Sequence, residues 1–142
     1  MEEEQLSGGN VSGSVVRVGD TVRKAWAPST SGVHDFMKVV RRAGVDVPAV
    51  FGRDAEGRQS IEFVPGRLAL QADSLTHAEL ARVGRMVRAI HDASEGFAPR
   101  DTAIWNVVIP APTQELICHN DLAPWNLVMG DRWTFRLRAP PA

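Results

Sequence analysis

The dipeptide Pro65-Gly66 separates two stretches of chain with different periodicities, and this limits the possible folds more than any other feature. Before it, apolar residues come in short runs divided by turn residues. Residues 14–18 and 21–26 read as two strands joined by the two-residue turn Gly19-Asp20. Alternation along the second strand puts Val22, Lys24 and Trp26 on one face and Arg23 on the other. Val33, Phe36, Met37 and Val40 follow helical spacing, with Ser31 as the expected N-cap and Gly44 as the stop. Residues 47–51 and 60–64 read as two more strands around a turn at Ala55-Glu56-Gly57. After the break, Thr76 and Glu79 form a capping box. It opens a long helix to about Ser94, with the apolar stripe Leu80, Val83, Val87 and Ile90. Pro99, Pro110 and Pro112 mark loop, and residues 116–118, 127–129 and 133–135 return to strand character. A loose tail is expected from about Arg136. The domain division expected is therefore 1–66 and 67–142.

A chain of 142 residues can bury one core or support two small lobes sharing an interface. Its net charge of −1 gives no electrostatic case for nucleic acid or an anionic membrane as partner. Cys118 is the sole cysteine, so no intramolecular disulfide forms and a reducing compartment is expected. No apolar run has the length of a membrane span, and the acidic start Met1-Glu2-Glu3-Glu4 lacks the basic character of a signal peptide. The expected location is the cytoplasm.

The segment His119-Asn120-Asp121-Leu122-Ala123-Pro124-Trp125-Asn126 carries the most specific chemistry. A strand, a polar loop and a second strand place Asp121 and Asn126 at the two ends of one loop. There a carboxylate can accept the proton of an attacking hydroxyl while an amide oxygen ligates Mg²⁺. Pro124 stiffens this loop, and Trp125 is expected to pack beneath it. A surface loop in which Asp121 and Asn126 make only local turn hydrogen bonds has the same spacing.

This octapeptide closely resembles the catalytic-loop motif of the aminoglycoside phosphotransferase family. Segments 8–11, 16–24, 62–66 and 90–93 resemble family segments in the right order. The resemblance implies an α/β (α+β), protein-kinase-like fold with a β-rich N-terminal lobe and an incomplete helical C-terminal lobe. It implies ATP- and Mg²⁺-dependent transfer of a phosphoryl group to a hydroxyl of a small molecule. Asp121 would be the catalytic base, His119 would brace the loop, and Asn126 would be a metal ligand. Gly8, Gly9 and Gly13 would lie over the ATP phosphates, although a plain flexible turn would read the same way. Lys24 would reach the phosphates, with Arg23 as its competitor because a one-residue slip exchanges the faces. Glu62, Phe63 and Val64 would form a hinge whose backbone binds adenine, or in the case of Phe63 and Val64 simply pack in the core.

The first helix offers only Asp35, and no Glu, to pair with the strand lysine. After Phe135 the chain reads Arg136-Leu137-Arg138-Ala139-Pro140-Pro141-Ala142, where the family would supply a second metal-binding Asp. A shifted or interrupted reading frame near Phe135 would account for that change. The alternatives to an active enzyme are a non-catalytic nucleotide-binding fragment and an inactive truncation product.

Overall fold

In the computed structural model, which describes residues 2–6, 14–107, 110, 112–113, 117–118 and 122–137, the chain before Pro65 forms a five-stranded antiparallel sheet. Its strands are β1 (Glu4–Gln5), β2 (Val16–Val18), β3 (Thr21–Lys24), β4 (Val50–Arg53) and β5 (Gln59–Glu62), in the order β1-β2-β3-β5-β4. The Gly19-Asp20 turn sets the register of the first hairpin, with Val18 opposite Thr21 and Val16 opposite Arg23. Gly19 has a φ of 58°, a left-handed conformation that glycine adopts without steric cost. Lys24 stands opposite Gln59 and Arg23 opposite Ser60, so the two cations lie on opposite faces as alternation requires.

Helix α1 (Thr30–Arg42) connects β3 to β4 and lays Phe36, Met37 and Val40 against the sheet and the second half of the chain. It starts two residues before the expected position. Ser29 is the N-cap, Ser31 lies inside the helix, and the Thr30 hydroxyl accepts the Ala27 N–H at 3.0 Å. Its end is the expected one. Gly44, with a φ of 91°, donates to the Arg41 carbonyl at 3.0 Å, and Val45 donates to that of Val40 at 3.3 Å. The last turn is thereby closed by the backbone itself.

Helix α2 (His77–Ser94) begins at the capping box read from sequence: the Thr76 hydroxyl accepts the Glu79 N–H at 3.2 Å, and the Glu79 carboxylate accepts the Thr76 N–H at 2.8 Å. Ile90 is fully buried, whereas Leu80 at the other end of the same stripe is 53% exposed. The stripe therefore contacts the core mainly through its C-terminal part.

The second sheet has three antiparallel strands, β6 (Arg67–Leu68), β7 (Leu127–Met129) and β8 (Trp133–Phe135). It shares one apolar core with α1: Phe36, Met37, Val40 and Val47 pack in the same cluster as Ala69, Ile90, Leu127, Met129, Phe135 and Leu137. Arg136 and Leu137, expected to start a loose tail, are instead held. The Arg136 N–H donates to the Asn126 carbonyl at 2.8 Å, and Leu137 is 3% exposed.

The α/β (α+β) protein-kinase-like fold with a helical C-terminal lobe is not what forms. Among the described residues, the second half contributes one α-helix and an antiparallel sheet to a structure of two antiparallel sheets and two α-helices. The physical reason lies after α2. Residues 127–129 and 133–135 are short apolar runs on either side of a tight turn. They satisfy their backbone groups by pairing with each other and with β6.

Candidate functional site

The turn between β7 and β8 governs how the two sheets meet. Gly130 sits so close to the crossing strand that a Cβ on it would fall on the Pro65 carbonyl oxygen. Gly66, with a φ of 149°, in turn lies against the Met129 carbonyl, where a Cβ would come within 2.8 Å. Close approach of these two glycines brings Arg132 to the edge of the first sheet. Its guanidinium there donates to both carboxylate oxygens of Asp46, with Nη2 at 2.6 Å from Oδ1, and to the Glu62 carboxylate. Glu62 also accepts the Ala49 N–H at 2.9 Å and lies 3.7 Å from Arg41. Thr134 extends the same seam by donating to the Asp46 carbonyl at 2.8 Å.

Burial alone would push the Glu62 carboxyl up. The Arg132 and Ala49 hydrogen bonds, reinforced by the charges of Arg132 and Arg41, outweigh it and hold the group below the ordinary glutamate value. Hydrogen bonds to Asp46 and then Glu62 raise the Arg132 guanidinium further above its already high value. A carboxylate with a depressed folded-state pKa stabilises the fold fully above its unfolded value, and that contribution is lost as pH falls through the folded one. Stability should therefore decline from about pH 4.3 downward. The variant Glu62→Gln should be less stable than the parent at neutral pH and should show a shallower acid decline in a urea-unfolding series. Since Arg132 is more than a third exposed, Arg132→Met should cost only about 1 kcal/mol after allowance for screening by solvent.

The expected site residues are distributed over several places. Arg23 bonds Thr21 Oγ1 and pairs with Asp54 at 3.2 Å, where Arg58 meets the same carboxylate at 2.8 Å. Lys24 is half-buried on the opposite face, opposite Gln59. The Gln59 side-chain amide donates to the Ala25 carbonyl at 2.8 Å, and its oxygen faces His34 Nε2 at 3.4 Å. Burial holds His34 below the ordinary histidine value, and the nearby positive charges of Lys38 and Lys24 act in the same direction. Asp35 pairs with Arg100 at 2.6 Å. In the expected hinge the Glu62 N–H donates to Ala49 at 2.9 Å, the Phe63 N–H donates to Asp20 at 2.8 Å, and Val64 is buried. The Arg17 guanidinium lies 4.0 Å over the Phe63 ring.

Asn126 ends a 3-10 turn (Pro124–Asn126) and is completely buried. Its N–H donates to Ala123 at 2.8 Å. Trp125, expected beneath the loop, is instead 47% exposed, because the turn directs it outward while Leu122 packs on the core. His119, Asp121, Gly8, Gly9 and Gly13 lie outside the described residues. Among the described residues, no group of three or more His, Cys, Asp or Glu side chains could hold a metal ion. No helix among them is long and apolar enough to cross a membrane. The meeting of Asp46, Glu62 and Arg132 was missed in sequence because partners 70 and 86 residues apart carry no local periodicity.

Fold and seam together define a two-sheet protein with one shared core and an ion-pair clasp between the sheets. No family model matches the chain, and no solved structure matches it. It is similar to the trifolitoxin immunity protein of Rhizobium leguminosarum bv. trifolii, at 28% identity over 133 residues, covering 89% of this chain and 50% of that protein. The chain thus spans about half the length of this curated relative.

These findings correct the reading drawn from residues 119–126 and from segments 8–11, 16–24, 62–66 and 90–93. The similarity found is to an immunity protein and not to the aminoglycoside phosphotransferase family, and nothing in the comparisons supports a kinase or other transferase. ATP-dependent phosphoryl transfer is not supported, and neither are the alternatives of a nucleotide-binding fragment and an inactive truncation product. The physical reason is that an eight-residue loop motif specifies local turn geometry. It does not specify the fold around it, and the same residue types serve a plain surface loop equally well.

Proposed function

We propose that this protein acts in immunity, protecting the cell that makes it against a toxin of the kind for which its relative is named. The observation that carries this reading is the extent of the similarity. A match over 89% of the chain cannot be the product of one loop motif. Action by binding suits this reading, and two solvent-open depressions beside α1 offer a surface for contact. The reading calls for neither ATP, Mg²⁺ nor a small-molecule acceptor. The protein would act in the cytoplasm, in keeping with a single cysteine and no disulfide.

The chain corresponds to about half of its relative, so protection by this chain alone is part of the proposal. The test is replacement. In a trifolitoxin-producing strain deprived of its own immunity gene, expression of this chain should restore growth. Arrested growth despite accumulation of the folded chain would contradict the reading.

A further inference from the structure

We propose that the outer face of α1 is a docking surface for a partner polypeptide segment with acidic residues between two apolar ones. Two clefts open on this face. One, of about 340 Å³, is lined by Met37, Pro48 and Val50 together with Lys38, Arg41 and Arg42. The other, of about 470 Å³, lies toward the end of α2 and is lined by Val39 and Phe97, with Lys38 and Arg42 again at its edge. These two cations therefore line both of two partly apolar depressions. They are one helical turn apart, so their side chains are neighbours on one face.

Arg41 is occupied, since it donates to the Val47 carbonyl at 2.6 Å and pairs with Glu62. Lys38 and Arg42 have no ion-pair partner among the described residues, and both are exposed. Asp35, the carboxylate lining the second cleft, is neutralised by Arg100. Arg42 lies in the last turn of α1, where a cation is favourable, but Lys38 is outside that turn and has no such role.

The chemistry selects the occupant. Two cations with no ion-pair partner among the described residues, flanked by partly apolar depressions, are complementary to a segment that presents carboxylates to them and an apolar side chain to each cleft. A nucleic acid would instead require a longer basic track with stacking aromatics, which a face with so few cations does not provide. The surface has this character whether or not the chain protects against a toxin.

Fluorescence polarisation of a labelled peptide with glutamates between two leucines tests the proposal on the full chain. The expected result is saturable binding that weakens as salt rises. It should weaken about tenfold in the double variant Lys38→Glu/Arg42→Glu and by an intermediate amount in Lys38→Gln/Arg42→Gln, whose neutral, helix-compatible side chains preserve the fold. A matching peptide with lysines in place of glutamates should not bind. Absence of binding by the parent chain would overturn the proposal. So would equal binding of the lysine peptide, or unchanged affinity in a folded charge-neutral variant.

Discussion

Gly130→Ala should destabilise the protein by about 3 kcal/mol, at the upper end of the usual cost of overpacking, and Gly84→Ala should stabilise it by about 1 kcal/mol. The same chemical change is made twice, and geometry sets the sign. At Gly130 the new methyl group meets the Pro65 carbonyl and the Gly66 Cα, both of them backbone atoms that cannot swing aside. At Gly84, in the interior of α2, a methyl group meets nothing within 4 Å, and the helix gains the backbone restriction that glycine lacks. The loss at Gly130 should also be transmitted. Moving the β7–β8 turn away from Pro65 withdraws Arg132 from Asp46 and Glu62, so the acid sensitivity attributed to Glu62 should diminish in the same variant. Urea unfolding of both variants beside the parent, at neutral and acidic pH, checks all three expectations.

Phe135→Ala carries the second large effect. Phe135 is 1% exposed, stands opposite Leu127 in the β7–β8 pair, and belongs to the cluster joining both halves of the chain. Removing a buried phenylalanine side chain costs about 3–5 kcal/mol through lost transfer energy and the cavity left behind. A domain of ordinary stability has roughly 5–15 kcal/mol in total. The variant should therefore unfold at a much lower temperature, and α1 should melt together with the second sheet. Amide exchange that left α1 fully protected while β7 and β8 opened would show that the shared cluster does not couple the two halves.

Local structure was legible wherever it was written in neighbouring residues. The Gly19-Asp20 hairpin, the Gly44 stop, the Thr76–Glu79 capping box and the β7–β8 pair are each set by a few adjacent side chains, and each forms. Strands β1 and β6 were not legible. Each has two residues, and each exists only because a distant strand supplies its partners, Arg17 and Val16 for β1, Met129 and Val128 for β6. The start of α1 was misplaced because three consecutive hydroxyl residues, Ser29, Thr30 and Ser31, all have cap chemistry. Tertiary context chooses among them. Leu137 looked like tail because a single buried residue between two arginines has no period, yet it reaches the core.

Of the candidate site, alternation correctly separated Lys24 from Arg23. The engagement of Arg23 with Asp54 and of Glu62 with Arg132 required the folded arrangement. The phosphotransferase resemblance rests on short local patterns, residues 119–126 and segments 8–11, 16–24, 62–66 and 90–93, whereas the similarity to the trifolitoxin immunity protein extends over 133 residues.

The dose of trifolitoxin that halves the growth of sensitive cells, measured with and without this chain expressed, tests the immunity reading most directly. The account predicts that the dose rises by at least about tenfold, a shift of about 1.4 kcal/mol in the effective toxin equilibrium. The dose should fall back toward baseline when the chain carries Phe135→Ala, to the extent that the variant is unfolded at the growth temperature. An unchanged dose in cells that demonstrably contain the folded parent chain would contradict it.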